Sequence, residues 1–293
     1  MKPFLSLLCL LTVLVLPQRS EAGRPFLCCD HNGGKVCVVS AEGNIEWEYA
    51  CRAPQDCWKL DNGNFLFCYF DGAVEVTPSK QVFWKYHAPE KTEVHACQPL
   101  ADGNVLICEC GTSRLLEVDR TGKIAKEIPL KTTPQIHTHN QFRGARKTKE
   151  GHYLVCFKGE GKVVELDGDG HVRRSIIVPG DPHEVVPLAD GNLLITCGDG
   201  HKVLELNADE KVVWELNETD LPGNPLRLMA GCQRLRNGNT IFCNYLGHGH
   251  IGKQPQFFEV TQDKKVVWQF DDHAHFKTIN QIFVLDQTGE VRR

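Results

Sequence analysis

The sequence has 293 residues, 41% of them hydrophobic, with 33 basic and 37 acidic side chains and a formal charge of −4. This is an ordinary globular composition with enough apolar residues for a substantial core. The slight acidic excess excludes the basic footprint of a nucleic-acid or anionic-membrane binder. The chain opens with Met1-Lys2, an apolar run over 3–16 and small residues at Ser20 and Ala22, the pattern of a secretory signal peptide cleaved after Ala22. The run is too short for a comfortable membrane span, and nothing later approaches one. The expectation is an exported protein, periplasmic or extracellular, monomeric and not inserted in a membrane, with residues 1–22 as signal and 23–293 as one domain.

One phrase then returns five times: LDNGNFLFC (60–68), LADGNVLIC (100–108), TKEGHYLVC (148–156), LADGNLLIT (188–196) and LRNGNTIFC (235–243). Each is followed by a second short apolar strand, such as AVEVT (73–77), and by a third that often ends in Trp, such as KVVWEL (211–216). Another strand precedes each glycine turn, as in HACQPL (95–100). Four short strands repeating at roughly 40–48 residues make a propeller blade. Residues 26–51 read as the last three strands of a unit without its first, and 278–286 as a lone first strand. The two ends therefore complete a sixth blade and leave no open sheet edge. The predicted fold is all-β, a single six-bladed propeller of four-stranded antiparallel blades.

With strands a to d counted outward from the axis, the a–b and c–d turns share one face and the b–c and d–a loops the other. Topology alone thus sends eleven of the thirteen histidines to the second, upper face. Three pairs there are His-x-His, at 137/139, 248/250 and 273/275, and residues two apart in extended chain point the same way. Polar loops gather histidines without any function, but so one-sided a distribution points to a ligand site. His95, His139 and His183, from three consecutive blades, are the innermost candidates for a divalent transition metal with open coordination positions. Arg143 aligns with His95 and His183, and Glu184 offers a general base. Asn140, Gln141, Arg227, His248, His250, Lys253, His273 and His275 complete the candidate ligand contacts. Arg, Lys and His around one opening of an acidic protein suit an anionic ligand, a small molecule or an oligosaccharide.

Thirteen cysteines remain after the signal, but Cys68, Cys108, Cys156 and Cys243 recur at one position of strand b, and Cys57, Cys97 and Cys232 at one of strand a. Such recurrence reads as small apolar filler between blades. A thiol cluster of Cys57, Cys97 and Cys232 near the axis is the alternative. No G-x-S-x-G, H-E-x-x-H, Walker or G-x-G-x-x-G motif occurs.

The repeated E-V-[TDN]-x-x-x-K-V-V-W ending, with the L-x-[DN]-G-N-x-L-[IF] strand pair, resembles the bacterial arylsulfotransferase-like and PQQ-like propeller group over essentially the whole mature chain. That resemblance implies the six-bladed fold. In the arylsulfotransferases it further implies a transiently sulfated histidine with Arg and other His near the axis, where His95, His139, His183 and Arg143 could stand. The family's extra N-terminal domain is missing, and no nucleophile can be matched residue by residue. The Ala-x-Asp-x-x-Thr-Gly core of the quinoprotein repeat is also missing, so no PQQ is expected. The histidine constellation alone is similar to that of propeller lyases that cleave uronate oligosaccharides with a His-bound metal. Three functions remain open: a metal-assisted enzyme acting on an anionic or carbohydrate ligand, group transfer through a histidine, and a non-catalytic glycan- or protein-binding propeller.

Overall fold

The computed structural model describes residues 23–287; the expected signal peptide, residues 1–22, lies outside them. Six four-stranded antiparallel sheets form a closed ring. Blade 1 holds β1 (Phe26–Asp30), β2 (Lys35–Val39) and β3 (Ile45–Ala50). Blade 2 holds β4 (Asp56–Lys59), β5 (Phe65–Tyr69), β6 (Gly72–Val76) and β7 (Val82–His87). Blade 3 holds β8 (Glu93–Pro99), β9 (Val105–Cys110), β10 (Arg114–Val118) and β11 (Ile124–Pro129). Blade 4 follows with β12 (Ala145–Lys147), β13 (Tyr153–Phe157), β14 (Lys162–Leu166) and β15 (Val172–Ile177). Blade 5 has β16 (Glu184–Pro187), β17 (Leu193–Thr196), β18 (Lys202–Leu206) and β19 (Val212–Asn217). Blade 6 has β20 (Leu228–Arg234), β21 (Thr240–Tyr245), β22 (Phe257–Val260) and β23 (Val266–Phe270). The last strand, β24 (Ile279–Val284), pairs antiparallel with β1 and supplies the innermost strand of blade 1, as the sequence predicts. Among the described residues no helix is long and apolar enough to cross a membrane.

Burial follows strand position. The middle strands are buried on both faces, as in β9 and β13, while outer strands such as β7 alternate exposed with buried positions. The glycine phrase closes each a–b turn in the same way. In blade 2 the Leu60 amide donates to the Asn64 carbonyl (2.9 Å) and the Gly63 amide to that of Leu60 (2.9 Å). Gly63 stands at φ +90°, a conformation that favours glycine.

The repeat also explains how neighbouring blades grip each other. The glutamate of the third strand is buried and accepts a bond from the turn asparagine of its own blade: Asn64 to Glu75 (2.6 Å), Asn192 to Glu205 (2.8 Å) and Asn239 to Glu259 (2.7 Å). Its other oxygen reaches a base of the next unit: Glu75 to Arg120 (2.5 Å), Glu205 to Arg234 (2.6 Å) and Glu259 to Arg24 (2.9 Å). The tryptophan of the outer strand does the same job with an indole N–H. Trp47 donates to the Pro78 carbonyl (3.0 Å), Trp84 to Asp119 (2.9 Å) and Trp214 to Gln262 (2.8 Å), each in the outer turn of the following blade. All thirteen cysteines among the described residues are free thiols, twelve buried and Cys51 half-buried, so they pack the blades.

At the axis, Arg146 is fully buried. It donates to Asp56 of blade 2 (2.9 Å) and Glu184 of blade 5 (2.7 Å), and lies over the Trp58 ring at 5.2 Å. Replacing Arg146 by Met strands two buried carboxylates and should cost about 3–5 kcal/mol. Trp84→Phe removes one interblade bond and should cost about 1 kcal/mol. Urea unfolding of both variants checks this; equal losses would deny the axial triad its weight.

Candidate functional site

Above Arg146 the axis opens on the upper face into a cavity of about 230 Å³. Three innermost strands break their ladders at its wall. The register of β8 shifts between Val94 and Ala96, that of β20 between Met229 and Cys232, and that of β24 opposite Cys29 and Asp30. The residues thrown out of register, His95, Ala230, Gly231 and Asn280, all line the cavity. A bulge re-aims the side chain it displaces, so the fold spends regular pairing here to face groups inward. A Cβ at Gly231 would fall 1.8 Å from the Gln281 Oε1, so glycine lets the Gln281 amide lie against this strand.

The densest cluster is Glu93, His95 and His139. One Glu93 oxygen lies 2.9 Å from His95 Nε2 and 2.7 Å from His139 Nδ1. Burial would raise the Glu93 carboxyl, but the hydrogen bonds from His139 and His95 overcome it and hold the group well below the usual carboxylate range. The other nitrogen of His95, Nδ1, sits 2.9 Å from the Phe142 carbonyl and 2.5 Å from Arg143 Nη1. Burial first, and the Arg143 charge second, lower His95 to about 3, so the ring is neutral at physiological pH.

Arg143 is 7% exposed. Its Nη1 is shared among His95 Nδ1 and the carbonyls of His139 (2.5 Å) and Phe142 (2.9 Å). Among the described residues no carboxylate pairs with it, and burial lowers its pKa. Arg146, three residues on, has two such partners.

His183 lines the same cavity but stands apart from the Glu93 cluster. Its Nε2 faces Asp181 at 3.3 Å, and Asp181 also meets Lys158 Nζ at 3.3 Å. The two groups of His, Cys, Asp or Glu close enough to share an ion, among the described residues, are Glu93–His95–His139 and the turn residues Asp167–Asp169–His171. The expected trio of His95, His139 and His183 is thus redrawn with Glu93 in place of His183, and no cysteine takes part. Glu184 lines the cavity but is committed: Oε2 accepts from Arg146 and Gln281 (2.8 Å) and Oε1 from the Val185 amide (3.0 Å). It is an anchor for the axis and not an available base.

Asn140 and His248 also line the cavity. Gln141 does not; it ties the Gly111 amide (2.6 Å) into the wall from behind. Arg227, His250, Lys253, His273 and His275 are not among the lining residues; His275, for instance, is held by Asp272 at 2.7 Å. The sequence reading left Glu93, Lys158, Tyr245, Gln55 and Gln281 unassigned. Only Glu93, two residues before an innermost histidine, carried a signal that could have found it.

A family model matches residues 36–265, and its description is Mal s 1 allergenic protein-like. The chain belongs to that family. The resemblance to the arylsulfotransferase-like and PQQ-like group reaches only as far as the six-bladed fold. A Bacteroides caccae protein of unknown function is 30% identical, with a TM-score of 0.83, over 90% of this chain and 100% of its own. A catalytically inactive histidine-to-alanine variant of virginiamycin B lyase from Staphylococcus aureus, solved with quinupristin, is 12% identical with a TM-score of 0.59, over 86% and 96%. A chain of a nidogen/laminin complex is 10% identical with a TM-score of 0.67, over 90% and 100%. These two share the fold. Among curated proteins there is no match.

The buried histidines make stability depend on pH. Burial, outweighing the Asp181 bond, lowers His183 from 6.5 to about 4. The unfolded chain therefore takes up this proton first on acidification. The contribution is whole above the ordinary value of about 6.5 and is lost as pH falls through about 4. His183→Asn should accordingly show a shallower fall in Tm than the parent across that window; parallel curves would show that His183 is not a buried neutral ring.

Proposed function

We propose that the upper-face cavity binds an anionic or carbohydrate ligand and acts on it, with a divalent transition metal held by Glu93, His95 and His139. The observation that carries the ligand reading is Arg143: a buried guanidinium without a carboxylate partner among the described residues, in a site where Glu184 is bound by Arg146 and Glu93 by His95 and His139. An unpaired buried charge is costly, and a ligand anion removes that cost. Lys158 lies on the same wall, paired with Asp181.

The donor set fits a metal. Its ligand atoms, two imidazoles and one carboxylate, lie within 4.8 Å of one another, a mixture that suits zinc or manganese. With Nε2 on a metal, His95 Nδ1 would carry the proton and donate to the Phe142 carbonyl, and Arg143 Nη1 would keep its two carbonyl partners. When bound, such an ion supplies Lewis acidity or an activated water. The chain's own part is to seat the anion on Arg143, present the amides of Gln55, Asn140 and Asn280 to hydroxyl groups, and keep the floor dry through Arg146. The lyase among the structural relatives, inactive when a histidine is changed to alanine, agrees with chemistry at a propeller histidine.

Metal analysis of the full chain after incubation with zinc, manganese and iron salts should give about one ion per chain. Glu93→Gln and His139→Ala should lose it while remaining folded, and His183→Asn should keep it. No ion in the parent, or loss only in the His183 variant, overturns this assignment. Separately, Arg143→Gln should weaken glucuronate binding by about 10–100-fold in calorimetry; an unchanged affinity would remove Arg143 from the ligand site.

A further inference from the structure

The rim beside the cavity carries a second set of cations. Arg227 immediately precedes Leu228, a cavity-lining residue, and its amide is bound by the Asn244 side chain (2.7 Å), next to the lining residue Tyr245. Its Nη1 donates to the carbonyls of Asn224 (2.9 Å) and Leu226 (2.5 Å), and its Nε is buried with no partner. Lys253 Nζ is held by the Gly249 carbonyl at 2.8 Å. Both cations are therefore fixed by loop carbonyls, and among the described residues neither forms an ion pair. The nearby acids are taken: Glu218 by His201 (2.8 Å), Asp199 by His248 (3.5 Å). Burial first, and the charges of Arg227 and Lys253 next, lower the pKa of His250. His248 bridges the two regions, lining the cavity while belonging to the rim loop.

We propose that Arg227 and Lys253 form a second anion subsite continuous with the cavity, so that the ligand is an acidic oligosaccharide with one acidic residue at Arg143 and another on the rim. This rests on the cavity being the ligand site. Two separated cationic positions, each lacking a carboxylate, match a chain that repeats its charge. The amide-rich wall of Gln55, Asn140, Asn280 and Gln281 favours hydroxylated units over a peptide, whose apolar side chains would find few partners there.

The test is calorimetry with mono-, di- and trisaccharides of galacturonate and of hyaluronan, with neutral cello-oligosaccharides and a polyglutamate peptide as controls. The proteins are the parent, Arg143→Gln and the double variant Arg227→Gln/Lys253→Gln, each checked for an unchanged Tm. An acidic trisaccharide should bind the parent at least about tenfold more tightly than its monosaccharide, with a gain that shrinks as salt rises. The double variant should lose that gain and keep the monosaccharide affinity. No gain with length in either acidic series, a gain that survives the double variant, or polyglutamate binding as tightly would overturn the rim subsite. Failure of the cavity reading looks different: the acidic monosaccharides would then bind the parent and Arg143→Gln alike.

Discussion

Ring closure is the constraint from which the rest of the molecule follows. Because β24 lies on β1, neither end of the chain leaves a free inner edge, and six innermost strands must converge on one axis. Convergence forces decisions about polar groups at the centre, where water is scarce and unpaired charge is expensive. The lower part of the axis is settled internally, by Arg146 between Asp56 and Glu184. The upper part is left unsettled, by Arg143, which has only a histidine and carbonyls to lean on. Two arginines three residues apart thus divide the axis into a part neutralised by carboxylates and a part that, among the described residues, is not.

The same economy governs the periphery. The repeated Glu, Asn and Trp of the blade phrase are each polar groups placed where one blade meets the next, so the bonds that define a unit also join it to its neighbour. Blade 4 departs from the pattern: Glu165 turns to His152 and Arg174 of its own sheet. The hydrophobic packing between blades is continuous with these bonds, and buried cysteines form part of it.

The architecture was readable in the sequence because the blades repeat one physical solution, and residues such as Trp84 and Glu75 have counterparts doing the same work in two other blades. The face on which the cavity opens was also readable, since strand parity alone sorts loops to one side or the other. The membership of the site was only half readable. Parity cannot tell how far a loop leans outward, so His273 and His275 were placed with His139 although they belong to the rim. Nor can it see a bulge. Alignment makes His95 and His183 equivalent, yet the register shift at His95 turns it towards Glu93, while His183 settles on Asp181. Glu93 itself resembled any strand-end carboxylate until the third dimension brought two imidazoles to it.

The cysteine filler has a consequence beyond packing. Burial pushes thiols such as Cys37 and Cys197 up to about 12 and raises Cys28 as well, so in the closed ring they are protonated and shielded from oxidants. Their silence is a property of the assembled ring and not of the residues. A blade that parts from its neighbour exposes several thiols at once, and these can be trapped by one another or by any passing disulfide before the ring recloses. In an oxidising compartment each such opening becomes a chance of irreversible capture, so the lifetime of this protein would be set by how rarely its blades separate.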